Sequence, residues 1–258
     1  MSGEISRVSF AVAGAQKCGT TALYRYLRGH PDLQLPRGKE AHFFDDEARD
    51  WRDPAYADYE GGFAPDGRRR GDATPIYLYW PQSLERMRRY NPDMRLVLIF
   101  RDPVARAWSH WRMEYASGRE TEPFAWAIRE GRARVDDPAA PGHHRVFSYV
   151  ERGFYGRQLA RALSLFPRGQ VLLLRARDLK DEPAPVLAQV CDFLGVSPLD
   201  EVTPQLTHVS RELDYGAAPT EADVAHLRAL YREDAALFES LAGFGLGADD
   251  AADAGVSG

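Results

Sequence analysis

Residues 8–21 place an apolar strand, a short glycine-containing loop and a helical sequence in direct succession, and this order constrains the fold more than any other part of the chain. The loop reads GAQKCGTT and begins at Gly14. Glycines let its backbone curl with the amides pointing inward, and the following helix directs its positively polarised N-terminus to the same point. Lys17 adds a cation, and Thr20 and Thr21 add hydroxyl donors. The segment therefore predicts a loop that binds a phosphate or sulfate group.

The spacing of this loop differs from that of loops that bind nucleoside triphosphates. Those loops read G-x-x-x-x-G-K-[ST], with the lysine directly after the second glycine. Here Thr20 follows Gly19, and Lys17 precedes that glycine by two residues. Neither long apolar run, LVLIF or VLLL, ends directly in an aspartate that would hold magnesium. A P-loop nucleotide or small-molecule kinase is therefore an alternative that the spacing disfavours.

A second segment, LVLIFRDPVARAWSHW, predicts a buried strand that ends at Arg101 and a helix opened by Asp102 and Pro103. Ser109 lies two turns into that helix, so a guanidinium and a hydroxyl group can converge on one phosphate. Asp102 and Pro103 are also the residue types favoured at an N-cap and a first helical position, which explains them without a ligand. Arg106 follows Asp102 by four residues, and we expect these two to form a structural ion pair.

A third segment, PRGKEAHFFDDE at 36–47, places Glu40 and His42 on one face of an extended chain. Two titratable groups side by side can orient one another. Partial burial among apolar residues would raise the pKa of the carboxyl group toward the range that suits a general base. The alternative is a surface loop with solvated charges, and the two preceding segments favour the chemical interpretation.

Together these segments resemble the sulfotransferases that use 3′-phosphoadenosine 5′-phosphosulfate (PAPS), over about residues 7–242. The pattern G-x-x-K-x-G-T-T is similar to the 5′-phosphosulfate loop of that family, and the segment from Arg101 to Ser109 is similar to its 3′-phosphate motif. K-E-x-H-F-F resembles a segment of heparan sulfate 3-O-sulfotransferases, N-sulfotransferases and their bacterial relatives. The resemblance implies PAPS as sulfuryl donor, adenosine 3′,5′-bisphosphate (PAP) as product, and no metal.

The resemblance also implies a role for individual residues. The match places on Glu40 the role of the base that takes a proton from the sulfuryl acceptor, and the sequence leaves open whether His42 assists or replaces it. Lys17 would stabilise charge on the transferring group. The implied cofactor contacts come from the loop and from the 3′-phosphate motif: Gln16, Lys17, Cys18, Gly19, Thr20, Thr21, Arg101 and Ser109.

Two further cofactor contacts follow from position in the family alone. Tyr155, in SYVERGFYGRQL, would stack or hydrogen-bond near the adenine, or pack as a core aromatic. Arg211, in THVSRELDYG, falls where relatives close a loop over the cofactor and would contact the 3′-phosphate. One departure concerns the acceptor, because the heparan enzymes place a lysine before Ser/Thr-Pro where this chain has Ala73. We therefore expect the acceptor to be bound differently from theirs.

The composition fits one globular enzyme, with 258 residues of which 44% are hydrophobic and 28% charged. We expect one sulfotransferase domain over 1–245 and a disordered acidic tail over 246–258. Strands near 7–13, 95–100 and 170–175 alternate with helices, which predicts an α/β fold with a central parallel sheet flanked by helices and carrying the P-loop-like phosphosulfate-binding loop. The predicted helices lie at about 20–29, 80–90, 103–116, 147–166, 183–194 and 220–241.

Several classes of protein are disfavoured. The net charge of -5 argues against nucleic-acid binding, and the run Arg68 to Arg70 is interpreted as a solvated turn. We find no apolar run long enough to span a bilayer and no secretory signal at the start, so we expect a cytoplasmic protein. The two cysteines do not indicate a disulfide framework, and the adjacent His143 and His144 lack the further ligands of a metal site. No sequence pattern specifies an oligomeric state.

The sequence thus predicts transfer of a sulfuryl group from PAPS to a hydroxyl group, or less favourably an amine, by in-line displacement. The acceptor would be a carbohydrate or a small-molecule natural product. Besides the kinase, the other alternative is a non-catalytic nucleotide- or sulfate-binding module, which would bind PAPS without transfer to any acceptor.

Overall fold

The computed structural model describes residues 7–36, 38–136, 140–199, 201–202, 215 and 218–247. The chain divides into two compact units. The sheet unit comprises Met1–Ala15, Gly19–Phe100 and Ala162–Thr207, and the helical unit comprises Gln16–Cys18, Arg101–Arg161 and His208–Gly258.

Five parallel strands form the sheet unit's central sheet, in the order β2-β3-β1-β4-β5. The strands span Phe10–Gly14 (β1), Leu33–Gln34 (β2), Arg69–Asp72 (β3), Arg95–Phe100 (β4) and Val171–Arg175 (β5). Helices precede and follow the strands along the chain, so the expected α/β fold with a central parallel sheet is confirmed.

The two central strands are apolar along their whole length because a parallel sheet is covered on both faces. All five residues of β1 are buried, as are the last five of β4. At the β1–β3 pair, Phe10 lies opposite Gly71. A Cβ atom at Gly71 would lie 2.0 Å from the Phe10 ring, so this position requires a glycine.

The strand order places the carboxyl ends of β1 and β4 side by side. Gly14 pairs with Leu98, and the Ala15 amide donates a 2.8 Å hydrogen bond to the Ile99 carbonyl. The connection after β1 leads to β2 on one side of the sheet, and the connection after β4 leads to β5 on the other. Such a switch point is where open α/β sheets bind ligands.

The helices were mostly predicted at their observed positions. They span Thr20–Arg28 (α1), Tyr56–Glu60 (α2), Ser83–Tyr90 (α3), Pro103–Ala116 (α4), Phe124–Ala127 (α5), Tyr155–Leu165 (α6), Ala176–Asp181 (α7), Pro183–Leu194 (α8) and Glu221–Ala242 (α9). Short 3₁₀ helices cover Glu130–Arg134, Glu151–Gly153 and Arg168–Gln170. In the part of the chain that is described, no helix combines the length and the apolarity needed to cross a membrane.

The helix boundaries follow from local capping. Asp102 accepts a 2.8 Å hydrogen bond from the Ala105 amide and Pro103 occupies the first turn of α4, as expected. Thr220 and Asp223 form a capping box at the start of α9. The core of the helical unit packs α4 against α5 and α9 through Trp108, Trp111, Phe124, Leu227 and Tyr231.

Three expectations were wrong in detail. The run Arg68 to Arg70 is not a solvated turn, because Arg69 and Arg70 begin β3 and Arg70 is buried. The helix expected over 147–166 begins at Tyr155, after a 3₁₀ turn that ends at Gly153. Asp102 forms an ion pair with Arg228 at 3.2 Å rather than with Arg106, which is fully buried and donates to the Tyr149 carbonyl.

Candidate active site

The loop after β1 holds its backbone in the left-handed region at two residues. Lys17 has φ 68° and Gly19 has φ 92°. Glycine adopts this conformation without cost, but a side-chain-bearing residue rarely does, and such strain concentrates at functional sites. Gly19 is the N-cap of α1, so no side chain caps the first amides of that helix. Those amides are suited to an anion, as the sequence predicted.

In the helical unit, buried contacts hold the first half of this loop. The Gln16 Oε1 atom accepts a hydrogen bond from the guanidinium of Arg152, which is 2% exposed and also donates to Ser148 Oγ at 2.8 Å. The Lys17 ammonium donates to the Met113 sulfur of α4 at 3.5 Å. Because a thioether is a weak acceptor, this contact positions Lys17 without neutralising it.

Cys18 and Tyr155 turn toward the interior of the helical unit. Both are buried, and the Cys18 sulfur lies 3.4 Å from the Tyr155 hydroxyl. Burial raises the pKa of the Cys18 thiol above its usual range despite the nearby charge of Arg101. The Tyr155 ring packs against Phe238 and lines a cavity of about 120 Å³. Tyr155 therefore occupies a core position, the second of the two interpretations that the sequence allowed.

The 3′-phosphate motif lies at the start of α4. The Arg101 guanidinium donates from Nη2 to the Ala105 carbonyl at 2.9 Å, so its side chain runs beside the first turn. Its Nε atom is buried and has no hydrogen-bond acceptor among the described residues. Ser109 is half-buried and follows Ala105 by one turn on the same face. This arrangement is complementary to an anion that accepts from both side chains.

In the sheet unit, Glu40 lies between two cationic side chains. Its Oε1 atom accepts from the Lys39 ammonium at 2.9 Å, and its Oε2 atom lies 3.2 Å from His42 Nε2. Lys39 also lies 3.4 Å from the Thr20 hydroxyl, at the start of α1. Lys39 thus links the carboxylate to the anion-binding end of α1.

These contacts overturn the expected direction of the Glu40 pKa shift. Partial burial raises the pKa of Glu40, but the hydrogen bonds and charges of His42 and Lys39 outweigh it and leave the pKa below its ordinary value. Glu40 is therefore a carboxylate at neutral pH and can accept a proton.

His42 is a donor rather than a base in this arrangement. Its Nδ1 atom lies 2.9 Å from Oδ2 of Asp45, which is buried, and its Nε2 atom faces Glu40. Hydrogen bonds to Asp45 and Glu40 raise the pKa of His42 to about 9. At neutral pH the ring is an imidazolium with both nitrogens donating, so His42 orients Glu40 and cannot itself take a proton.

A buried polar network holds the Glu40 segment in place. Asp72, at the end of β3, is fully buried and accepts from the hydroxyls of Tyr59, Thr74 and Tyr77 at 2.9 to 3.0 Å. The Thr74 and Tyr77 hydroxyls in turn accept from the amides of Ala41 and Phe43, at 3.0 and 3.1 Å. Burial raises the pKa of Asp72.

Sequence reasoning missed Lys39, Asp45 and Asp72. Lys39 and Asp45 lie in the segment 36–47. Their charges close to Glu40 and His42 in the sequence could have identified them as partners of those two residues. Asp72 carried no signal, because β3 reads RRGD and has no apolar alternation.

Two remaining predictions concern Arg211 and a metal. Arg211 lies outside the described residues. Within the described ranges, we find no group of three or more His, Cys, Asp or Glu residues that could hold a metal ion.

Comparison with known proteins identifies the family. Residues 9–213 match the family model described as sulfotransferase domain. Mouse heparan sulfate glucosamine 3-O-sulfotransferase 6 is 32% identical over 191 residues, which cover 72% of this chain and 51% of that protein. The chain thus spans about half the length of the curated relatives it matches.

Solved structures agree with the family match. The crystal structure of a sulfotransferase from Alicyclobacillus acidocaldarius is 30% identical, with a TM-score of 0.75, and the match covers 93% of this chain and 98% of that one. A mouse sulfotransferase, SULT7A1, complexed with PAP shares the fold at 15% identity and a TM-score of 0.55, covering 93% of this chain and 90% of that one. The family-model match and these similarities agree with the loop and the two motifs and show that the chain belongs to the sulfotransferase domain family.

Proposed function

We propose that this chain transfers a sulfuryl group from PAPS to a hydroxyl group of a carbohydrate acceptor. The observation that carries the proposal is the state of Glu40, an ionised carboxylate held by Lys39 and by the His42 imidazolium. A base needs to be ionised and fixed in position before its substrate arrives, and this arrangement supplies both.

The residues of the helical unit fit the donor. The buried Arg101 Nε atom suits a phosphate oxygen, and Ser109 adds a hydroxyl donor on the same face of α4. We assign the 3′-phosphate to these two side chains. Lys17 of the helical unit is assigned to the 5′-phosphosulfate, as are Gly19, Thr20 and Thr21, which belong to the sheet unit.

The proposed reaction is a single displacement. The donor supplies an electrophilic sulfur bonded to a phosphate oxygen that leaves with the electron pair of the broken S–O bond. Glu40 takes the proton of the attacking hydroxyl group as its oxygen forms the new bond to sulfur. Lys17 and the loop amides stabilise the negative charge that develops on the sulfuryl oxygens and on the departing phosphate.

The acceptor class rests on similarity and on one departure. The mouse relative is a heparan sulfate glucosamine 3-O-sulfotransferase, and similarity to it supports a carbohydrate hydroxyl as acceptor. Ala73 is fully buried where the heparan enzymes carry a lysine, so this chain makes its acceptor contacts without that cation. No comparison supports the kinase alternative.

The test is a turnover assay with purified protein, PAPS and a panel of carbohydrate, phenolic and amine acceptors. We expect one PAP released for each sulfated product and no loss of rate in a chelator. Tight PAP binding with no transfer to any acceptor would support the non-catalytic module, and magnesium-dependent consumption of ATP would support the kinase.

A further inference from the structure

Arg112 is a half-buried cation with a buried Nε atom, and it has no role in the proposed function. It lies on α4, one turn after Ser109. Its guanidinium carbon lies 5.5 Å from the ring centroid of Trp108 and 5.7 Å from that of Tyr215. These two rings fix the position of the guanidinium by cation–π contact, but a neutral ring supplies no counter-charge.

The polar groups of Arg112 lack a protein partner in the described part of the chain. Its Nε atom is buried and has no hydrogen-bond acceptor there, and no carboxylate of those residues lies within 4.0 Å. The neighbouring Glu114 carboxylate is occupied by Arg119 at 2.6 Å. Arginine is rarely buried without a partner, since desolvation of the charge is then uncompensated.

Arg101 is a second cation associated with the same helix. Burial is the main cause that lowers the pKa of Arg112, and the positive charge of Arg101 lowers it further. Arg101 also has a buried Nε atom without an acceptor among the described residues. Two like charges side by side destabilise each other unless an anion lies against both.

The spacing of residues along α4 relates Arg101 and Arg112 to the same face of that helix. Ala105, Ser109 and Arg112 follow one another at spacings of four and three residues and lie on one face of the helix. Arg101 lies against the Ala105 carbonyl at the start of that face. A long side chain in a helix leans toward the N-terminus, and the Arg112 guanidinium accordingly lies over the ring of Trp108, one turn earlier on α4.

The number of charges selects the ligand. A phosphate monoester carries about 1.5 to 2 negative charges at neutral pH and has three strong acceptor oxygens. A carboxylate or a sulfate ester carries only one charge. Two guanidinium groups and one hydroxyl match the phosphate monoester in both charge and hydrogen-bond donors.

We propose that Arg112 is a further cation of the 3′-phosphate site, beside Arg101 and Ser109, and strengthens the selectivity of the chain for a donor that carries this phosphate. The inference rests on the proposed function. An anionic group on the sulfuryl acceptor is the alternative ligand for Arg112. Titration of Arg112 variants with PAP distinguishes this group from the 3′-phosphate of the donor.

The experiment is calorimetric titration of the full chain with PAP and, separately, with adenosine 5′-phosphate, which lacks the 3′-phosphate. The variants are Arg112→Gln, Arg112→Lys and the control Arg157→Gln, an exposed arginine of the same unit that pairs with Asp234. We expect Arg112→Gln to weaken PAP binding at least about tenfold, the effect of losing a hydrogen bond to a charged group. The affinity for the monophosphate should stay within about twofold of the wild-type value. Arg112→Lys should retain part of the PAP affinity that Arg112→Gln loses, because lysine keeps the positive charge but lacks the paired N–H donors of the guanidinium. The control should match the wild type.

Two results would overturn the inference. Unchanged PAP affinity in Arg112→Gln, with a raised acceptor KM, would assign Arg112 to the acceptor. Equal weakening of PAP and the monophosphate would show a general structural role. Failure of the proposed function is a different result, namely a wild-type chain that does not prefer PAP to the monophosphate.

Discussion

At the scale of single residues, the reactivity of Glu40 depends on its two neighbours. Lys39 and His42 each hold one carboxylate oxygen, and Asp45 holds the far side of the His42 ring. In the proposed function Glu40 is the base and His42 a positioning residue, because an imidazolium has no lone pair for a proton.

Replacement of Glu40 by Gln tests the base. We expect turnover to fall by about 10²–10⁴-fold, the usual contribution of a general base, while PAP affinity stays nearly unchanged. Turnover and titration with PAP measure the two effects. The matched control is Glu85→Gln, an exposed glutamate of α3. Retained turnover in Glu40→Gln would show that another residue is the base.

The charge of His42 gives a pH-dependent contribution to stability. Its folded-state pKa is raised from 6.5 to about 9, so the stabilisation is complete below about pH 6.5 and is lost as the pH rises through about 9. We expect the difference in unfolding free energy between wild type and His42→Gln to shrink over that interval. Denaturant unfolding at several pH values measures it. A difference that does not vary with pH would contradict the imidazolium assignment.

Lys39→Met removes one of the two donors to Glu40. Because Lys39 is one cause of the lowered pKa of Glu40, we expect that pKa to rise in the variant. The acidic limb of the pH–rate profile would then move to higher pH, while Lys180→Met, an exposed lysine of α7, leaves it in place. An unmoved limb would mean that another group sets it.

At the scale of elements, the sheet depends on one close approach between strands. Gly71 of β3 faces Phe10 of β1, where an added Cβ atom would lie 2.0 Å from the ring. Such crowding forces the strands apart or the ring out of its rotamer.

Gly71→Ala therefore should lower the free energy of unfolding by about 1–3 kcal/mol. Gly38→Ala is the matched control, since no atom lies within 4 Å of its added Cβ and its backbone is not in the left-handed region. Urea unfolding of both variants measures the effect. Equal stability of the two would show that β1 and β3 are farther apart than described here.

Elements were predictable where the local chemistry was strong. The apolar runs of β1, β4 and β5, the Asp102–Pro103 start of α4 and the capping box of α9 lie where their patterns indicated. β3 was not predictable from the sequence, because it has only four residues and two of them are arginines. These residues form a strand because they pair with β1 and β2 on either side.

The side-by-side placement of Glu40 and His42 was predictable from the sequence, but the electrostatics of the candidate site were not. Glu40 and His42 were identified from their segment, yet the direction of the Glu40 pKa shift was wrong. The sequence does not show that Lys39 turns back onto Glu40, or that buried Asp45 charges His42. Arg106 was paired with Asp102 from i, i+4 spacing, whereas tertiary packing brings Arg228 of α9 to that carboxylate.

At the scale of the whole molecule, the proposed function requires a chain with a net charge of -5 to bind an anionic nucleotide through a few local cations. Lys17 lies in the loop after β1, Arg101 directly follows β4 and Arg112 lies on α4, all within the helical unit. Selective recognition then depends on these groups and not on the overall field, so binding should persist at moderate salt better than binding by exposed surface charges.

The most direct test of the central claim is calorimetric titration of the full chain with PAP, with adenosine 5′-phosphate and with ATP plus magnesium, on wild type and Arg101→Ala. We expect PAP to bind at least about tenfold more tightly than the other two ligands, and Arg101→Ala to remove this preference, because the lost contact is a buried charged hydrogen bond. Preferential binding of ATP with magnesium, or PAP affinity that does not depend on Arg101, would contradict the assignment of the donor site.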